Sequence, residues 1–242
     1  MTRRALLLSL LSLVGTGLLL VWFFSGKTLS TVTYQADFER VEQAQVAQRV
    51  APFLGQPFWE ADLEALHARL TRMEWVYRVS VTRRWPDQLR IRIEEQTPVA
   101  RWGEQALLNQ FGEIFYPTQM ASFADYVRLD GPAVRSQLVL EQLEQLQSQL
   151  KVLDWQISAL SMLADGVWEV KLDGGQTLLL PAENAQSMLD RFVRSYPRID
   201  PDLRKFAQVF DLRYSNGFVI RKNTEPAPER QGLSENDESN AS

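Results

Sequence analysis

The sequence predicts an α+β protein with one N-terminal transmembrane helix, two folded units and a polar tail. Three observations support this class. A long uncharged apolar run lies near the start, the middle mixes period-two and helical apolar patterns, and the end is rich in Pro, Glu, Ser and Asn. With 242 residues, 45% of them hydrophobic, the chain has enough apolar side chains to fill a core in each unit.

The apolar run extends from Ala5 to Phe24 without a charged residue. A helix of this length rises about 30 Å, which matches the hydrocarbon core of a bilayer. Two arginines precede the run, so the positive-inside rule places residues 1–4 in the cytoplasm and the bulk of the chain outside it. A cleaved signal peptide is the alternative, but its apolar core is usually shorter. We therefore expect a single-pass anchor.

The first folded unit is predicted to run in the order strand, helix, helix, strand, strand. Residues 29–38 are rich in Thr, Val and Tyr, whereas 40–54 and 58–73 carry apolar residues at helical spacing. Residues 75–82 alternate in period two, and a turn at 85–88 leads to a second alternating strand. The predicted apolar faces of these two strands consist of Trp75, Tyr77, Val79 and Val81, and of Leu89, Ile91 and Ile93.

The second unit begins near Pro98 and is predicted to be a mixed β domain, residues 98–222, with flanking helices. The predicted strands lie at 99–102, 106–109, 126–130, 167–172, 176–181, 206–214 and 217–221. The predicted helices cover 133–153 and 184–199, the second with Asn184 as its N-cap. The first helix is predicted to bury a stripe made of Leu138, Leu143, Leu146, Leu150 and Leu153.

The charge distribution argues against a nucleic-acid partner. Residues 223–242 hold five acids and one arginine, and so account for the whole formal charge of −4. We expect this acidic tail to be disordered. Five arginines fall within residues 81–102, but Arg90 and Arg92 alternate with apolar residues on one strand. We interpret them as the polar side of a sheet, and protein docking on that face stays an open alternative.

No constellation of catalytic or metal-binding residues is apparent. The chain has no cysteine and one histidine, His67, which lies within a predicted helix. Glu94 and Glu95 are neighbours on a strand and therefore point to opposite faces. The sequence predicts no catalytic site, no metal, no cofactor and no small-molecule substrate. An anchored enzyme is accordingly the least favoured class.

Two separated sequence motifs carry a family resemblance. The first comprises Trp75, Val79, Val81, Arg83, Trp85, Pro86, Asp87, Leu89 and the stretch from Glu95 through Pro98 to Trp102. It resembles the POTRA domain of the FtsQ/DivIB family of bacterial cell-division proteins. The second, Asp-Leu-Arg-Tyr-Ser-Asn-Gly at 211–217, resembles a motif near that family's C-terminus. The resemblance covers nearly the whole chain, from the anchor to about Arg221. It implies a POTRA domain at 28–97, followed by the β domain.

The resemblance implies a non-enzymatic, bitopic scaffold of the divisome in the inner membrane, with its bulk in the periplasm at the septum. The implied partners are FtsB, FtsL and other division proteins, and the POTRA domain is linked to recruitment. Partner contact is expected at the last strands, through Arg213, Tyr214, Ser215, Asn216, Gly217 and Phe218. Two residues depart from the family pattern: Lys222 stands where a tryptophan is expected, and Asp165 where a basic residue is expected. A POTRA-type chaperone or transport module is the alternative, although such proteins usually carry tandem units.

Overall fold

The computed structural model describes residues 10–18 and 26–222. Residues 10–18 are helical. Within these two ranges we find no helix with both the length and the apolar character needed to cross a membrane. Apart from 10–18, the predicted anchor at 5–24 lies outside the described residues, as do the N-terminal residues 1–4 and the acidic tail.

The chain divides into two compact units. The first contains the chain up to Val99 together with 105–110 and 115–122, and the second contains 100–104, 111–114 and the chain from Phe123 onward. In the first unit the predicted order strand, helix, helix, strand, strand is confirmed. Its elements are β1 (Thr31–Gln35), α1 (Gln43–Val50), α2 (Leu63–Thr71), β2 (Val76–Arg84) and β3 (Gln88–Glu95). β3 is the central strand, parallel to β1 and antiparallel to β2.

The core of the first unit lies between the two helices and one face of this sheet. Its fully buried side chains include Val46 and Val50 from α1, Leu66 and Leu70 from α2, and Leu89 and Ile91 from β3. Burial of each such side chain contributes about 1.5–3 kcal/mol. The predicted apolar face of β3 is thereby confirmed.

The second helix begins later than predicted, at Leu63 rather than residue 58. The side chain of Asp62 accepts a hydrogen bond from the Ala65 amide at 2.9 Å and caps the helix. Residues 58–60 form turns instead, and Pro57 forms an isolated β-bridge with Thr28. The apolar spacing that predicts the helix is present only from Leu63 onward, and the buried Phe58 reaches the core from the preceding loop.

The side-chain alternation predicted for β2 is wrong at its first residue. Val76 was placed on the polar face, yet it is buried together with Val79. The pairing with β3 is irregular between Val76 and Arg78, so one extra residue is accommodated there. A bulge of this kind changes the phase of the alternation, which the sequence pattern alone does not reveal.

The arginines of residues 81–102 do not all lie on one solvated face. Arg83 points towards the core side, where its Nε donates to the Phe58 carbonyl at 2.8 Å and its Nη2 donates to the Ala61 carbonyl. Arg90 is half-buried, and Arg92 is exposed with its Nη2 3.3 Å from Gln35 Oε1. Arg83 therefore stabilises a loop of the fold, whereas Arg92 fits the predicted polar face.

Between β3 and residue 222 the chain forms nine more strands and three more α-helices. The strands are β4 (Pro98–Trp102), β5 (Ala106–Asn109), β6 (Ile114–Phe115), β7 (Arg128–Asp130), β8 (Ile157–Met162), β9 (Trp168–Leu172), β10 (Thr177–Leu180), β11 (Ala207–Asp211) and β12 (Val219–Lys222). The helices are α3 (Ser136–Leu150), α4 (Ala185–Ser195) and α5 (Pro201–Phe206). The sheet of the second unit has the order β12-β11-β10-β9-β8-β7-β4. It is mixed, since β10 pairs parallel with β11 but antiparallel with β9.

The predicted strands and hairpin of this unit are present, with several differences. β6, β8 and α5 were not predicted, because β6 has only two residues, β8 interleaves serines with apolar residues, and α5 has only six residues, too few to show a helical period. β12 lies at Val219–Lys222, whereas the predicted strand is at 217–221. β11 ends at Asp211, before the predicted end at Tyr214. Asn184 occupies the predicted N-cap position, but its side chain makes no capping hydrogen bond.

The buried stripe of α3 is shifted from the predicted one. Val139, Leu140, Leu146 and Leu150 are buried, whereas Leu138 is 43% exposed. Adjacent helix residues differ by about 100° around the axis, so a stripe centred on Leu146 and Leu150 includes Val139 and excludes Leu138. The leucine positions alone therefore predict the wrong buried face for the N-terminal part of this helix.

Candidate functional site

The candidate site is the outer edge of the second sheet. β12 is the last strand in the sheet order, and no strand lies on its outer side among residues 26–222. On its inner side it pairs antiparallel with β11, with Val219 opposite Asp211 and Ile220 opposite Phe210. An edge strand presents unpaired backbone N–H and C=O groups, which can accept another strand.

The segment 212–218, which joins β11 to β12, is held against α4. Arg191 donates from Nη1 to the Ser215 carbonyl at 2.5 Å and from Nη2 to the Tyr214 carbonyl at 3.0 Å. The Phe218 ring packs edge-to-face on Phe192, with 5.2 Å between ring centroids. The backbone of this segment is thereby fixed, while the Tyr214 side chain remains 52% exposed.

A buried carboxylate lies at the base of the segment. Asp211 is fully buried and accepts hydrogen bonds from Arg213 Nε at 2.8 Å and from Arg213 Nη2 at 2.7 Å. Arg221 of β12 contributes a third contact to Asp211 at 3.3 Å. The hydrogen bond from Arg213 lowers the pKa of Asp211, and the same bond raises the pKa of Arg213. The contact with Arg221 ties the end of β11 to β12, and the pair with Arg213 holds the start of the following segment.

Exposed apolar side chains flank the open strand. The short helix α5 packs against β12 and exposes Phe206 and Leu203, and Val219 is exposed on the strand itself. We call the strand β12 with the exposed side chains of Tyr214, Val219 and Phe206 the β12 edge. It combines unpaired backbone groups with apolar surface that a partner could bury.

The structure separates the six predicted contact residues into two groups. Arg213, Tyr214, Ser215 and Asn216 are exposed, and Arg213 is also bonded to Asp211. Gly217 and Phe218 are half-buried, and Phe218 packs on Phe192. Asp211 belongs to the motif at 211–217 but was not predicted as a site residue, and Arg191 and Phe206 were not singled out from the sequence. The acid at the end of the strand Ala-Gln-Val-Phe-Asp, directly after the apolar pair Val-Phe, was the available signal for Asp211.

The two departures from the family pattern occupy different positions. Asp165 lies in the turn between β8 and β9, where its Oδ1 accepts from the Val167 amide at 3.2 Å. Its charge also helps to raise the pKa of Arg213, as a smaller contribution than that of Asp211. Lys222 is exposed at the end of β12, opposite Ala207 of β11.

The signature residues of the first unit serve mainly as core and turn. Val79 and Leu89 are buried, Val81 is half-buried, and Trp75 packs edge-to-face on Phe115 with 5.5 Å between centroids. In the turn between β2 and β3, Trp85 is about half exposed, Pro86 is half-buried, and Asp87 accepts a hydrogen bond from the Ser30 hydroxyl at 2.5 Å. Pro98 begins β4.

The titratable residues considered as catalytic candidates make structural contacts. His67 Nε2 lies 3.2 Å from the Val79 carbonyl. Glu95 accepts from the backbone amide of Arg40 at 2.8 Å, and Glu94 pairs with Arg78 at 3.6 Å. Within the described ranges, no group of three or more His, Asp or Glu residues is arranged to hold a metal ion.

Comparison with known families matches both units. Residues 28–96 match the model "POTRA domain, FtsQ-type", and residues 100–213 match "Cell division protein FtsQ/DivIB, C-terminal". The β12 strand follows the second match. Among similar proteins, the cell division protein FtsQ of Coxiella burnetii is 33% identical over 183 residues, which cover 76% of this chain and 75% of that protein.

Two further relatives give the same assignment. Cell division protein FtsQ of Nitrosospira multiformis is 30% identical over 76% of this chain and 77% of its own length. Cell division protein FtsQ of Shewanella oneidensis is 32% identical over 67% of this chain and 62% of its own length. With both units matched in order, this chain belongs to the FtsQ/DivIB family of cell-division proteins and contains an FtsQ-type POTRA domain.

Proposed function

We propose that this protein is a non-enzymatic scaffold of the bacterial divisome. In this proposal, residues 5–24 anchor it in the inner membrane with a cytoplasmic N-terminus. The POTRA domain (28–97) and the β domain (98–222) lie in the periplasm at the septum. The family assignment supports the role in division. The uncharged apolar run of the sequence supports the anchor.

The partner site in this proposal is the β12 edge. A strand from an FtsB/FtsL-type partner adds to the outer side of β12 and satisfies its backbone groups, a mode known as β-augmentation. The open edge of β12 is the observation that carries the proposal. Val219 and Phe206 offer apolar area for burial beside the added strand.

The predicted contact residues take different roles. Tyr214 is the anchor side chain, because it is large, amphipathic and exposed on a fixed backbone. Ser215 and Asn216 lie beside it and are exposed. Arg213 and Phe218 act as positioning residues through Asp211 and Phe192. Since Arg191 already holds the segment, partner binding does not have to order it.

The role in division is tested by depletion of the protein in its own host. We expect cells without it to elongate into filaments because septation stops. Plasmid-borne wild-type protein should restore division. Normal division after complete depletion contradicts the proposed role.

Strand addition is tested by disulfide cross-linking, since the chain has no native cysteine. Val219→Cys and Arg221→Cys are each combined with single cysteines placed along the FtsB partner. Positions 219 and 221 lie two apart on β12, so in a paired strand they face partner residues that are also two apart. The partner position that cross-links best should therefore differ by two between the two variants. Thr33→Cys is the matched control, because Thr33 is exposed on β1, an edge strand of the first sheet. Cross-links without this shift, or equal capture by the control, contradict strand addition.

A further inference from the structure

Two large aromatic side chains are exposed at one end of the first unit. It is the end that contains Lys27, where the chain coming from the predicted anchor joins the folded unit. Trp59 is 60% exposed and Trp85 is 49% exposed. We propose that this end, the Trp59/Trp85 surface, rests on the headgroup layer of the phospholipid bilayer. The inference rests on the proposed anchor at 5–24 and adds to it a second, peripheral contact with the membrane.

Backbone hydrogen bonds place both tryptophans beside the chain entry. The Phe58 amide donates to the Lys27 carbonyl at 2.8 Å, which holds the loop of Trp59 against the entering chain. The Ser30 amide donates to the Asp87 carbonyl at 2.9 Å, which holds the turn of Trp85 against it. Both tryptophans therefore lie at the end marked by Lys27.

Arg83 joins the two aromatic segments directly. It is two residues before Trp85, and its Nε donates to the carbonyl of Phe58, the neighbour of Trp59, at 2.8 Å. The opposite end of the unit is distant, because the nine residues of β2 extend it by about 26 Å at 3.3 Å per residue. The two tryptophans thus share one end of the unit.

The short tether brings this end to the membrane. Only Ser25 and Gly26 separate Phe24, the last residue of the apolar run, from Lys27. Three extended steps span at most about 11 Å. The headgroup region on each side of a bilayer is about 5–8 Å thick. With Phe24 at the hydrocarbon boundary, Lys27 must lie within or just beyond that layer.

The chemistry of the surface suits a lipid interface. Tryptophan is enriched at membrane–water boundaries, where its ring contacts the acyl region and its N–H remains hydrated. The exposed charges at this end cancel, since Lys27 and Arg84 are balanced by Glu60 and Asp62. Contact should therefore depend on the aromatic rings and not on anionic lipid.

The test uses the full chain reconstituted into vesicles of phosphatidylethanolamine and phosphatidylglycerol. Glu60→Cys places one nitroxide label beside Trp59, because the chain has no other cysteine. Arg72→Cys, an exposed residue at the opposite end of α2, is the matched control. The spin relaxation of the nitroxide, enhanced by oxygen or by a water-soluble nickel chelate, reports how deeply the label lies in the bilayer. We expect headgroup depth at position 60, an aqueous position at 72, and no change when phosphatidylglycerol is omitted.

Tryptophan variants identify the residues responsible. The double variant Trp59→Ser/Trp85→Ser should move the label at 60 into water, whereas Trp59→Tyr/Trp85→Tyr should retain its depth, because tyrosine also favours the interface. Circular dichroism verifies that each variant is folded. Headgroup depth that persists in the serine variant overturns the assignment to these two residues.

Flotation separates this inference from the proposed anchor. If the chain does not float with the vesicles, the anchor is wrong and the membrane contact falls with it. If the chain floats but the label at 60 is fully aqueous, the anchor stands and the membrane contact is overturned. The second outcome would also arise if the Trp59/Trp85 surface bound a protein.

Discussion

Asp211 is fully buried and is paired with Arg213, two residues later, through hydrogen bonds of 2.7 and 2.8 Å. A buried carboxylate is costly unless it is hydrogen-bonded and paired. Here the pairing also fixes where β11 ends and where the segment bearing Tyr214 begins. The positively charged member of the pair, Arg213, is also one of the predicted contact residues, and that role stays a prediction.

Replacing Asp211→Asn should lower the free energy of unfolding of the second unit by about 1.5–3 kcal/mol, because charged hydrogen bonds are lost at a buried position. Urea unfolding followed by circular dichroism measures this change. Hydrogen exchange should increase most in peptides that contain β11 and β12. Unchanged exchange in those peptides would show that the pair does not hold the two strands.

The same pair predicts a pH dependence. Because folding lowers the pKa of Asp211, its stabilisation is present above the ordinary pKa of about 3.9 and is lost as the pH falls through the lowered value. The difference in free energy of unfolding between wild type and Asp211→Asn should therefore narrow as the pH falls below about 3.9. A difference that stays constant over this range contradicts the linkage.

Gly112→Ala should destabilise the second unit by about 2–5 kcal/mol, from backbone strain and overpacking together. Gly112 has φ +78°, and an added Cβ would lie 2.6 Å from Gln137 Cα. Gly103→Ala is the control, since Gly103 has φ +56° but nothing within 4 Å of an added Cβ. Its cost should be about 1–2 kcal/mol. Equal midpoints of thermal unfolding for both variants would show that contact between the added Cβ and Gln137 does not lower the stability.

Arg83→Met should lower the stability of the POTRA unit by about 1.5–3 kcal/mol, because its hydrogen bonds to the carbonyls of Phe58 and Ala61 are lost. Arg84→Met is the control on the exposed neighbour and should change stability by less than about 0.5 kcal/mol. Urea unfolding of both variants provides the measurement. A larger loss of stability in Arg84→Met than in Arg83→Met would contradict the structural role assigned to Arg83.

Tyr214→Glu should weaken capture of a soluble FtsB/FtsL pair about 30-fold, as expected for loss of a hot-spot aromatic worth about 2 kcal/mol. Tyr116→Glu, at a tyrosine that is 70% exposed in the first unit, should leave capture unchanged. Biolayer interferometry with the full chain in detergent gives both dissociation constants. An unchanged constant for Tyr214→Glu rejects this residue as the anchor, and the cross-linking experiment then decides on strand addition separately.

Several features followed from the sequence because their causes are local. Alternation of Leu89, Ile91 and Ile93 with polar residues requires only a pleated strand with one buried face. The helical stripes of α1 and α2 depend likewise on residues three or four apart. The motif around Trp85 and the motif at 211–217 were sufficient to indicate the family.

Other features required tertiary structure because their causes join distant residues. The burial of Val76 depends on a bulge against β3, and the role of Arg83 depends on carbonyls more than twenty residues earlier. The position of Arg191 beneath the carbonyls of Tyr214 and Ser215 likewise depends on how α4 packs. The sequence by itself determined the order of elements in the first unit, since periodicity is a property of neighbouring residues. Only the folded chain decided which charges are paired and which strand edge is open, since both depend on contacts that no local pattern encodes.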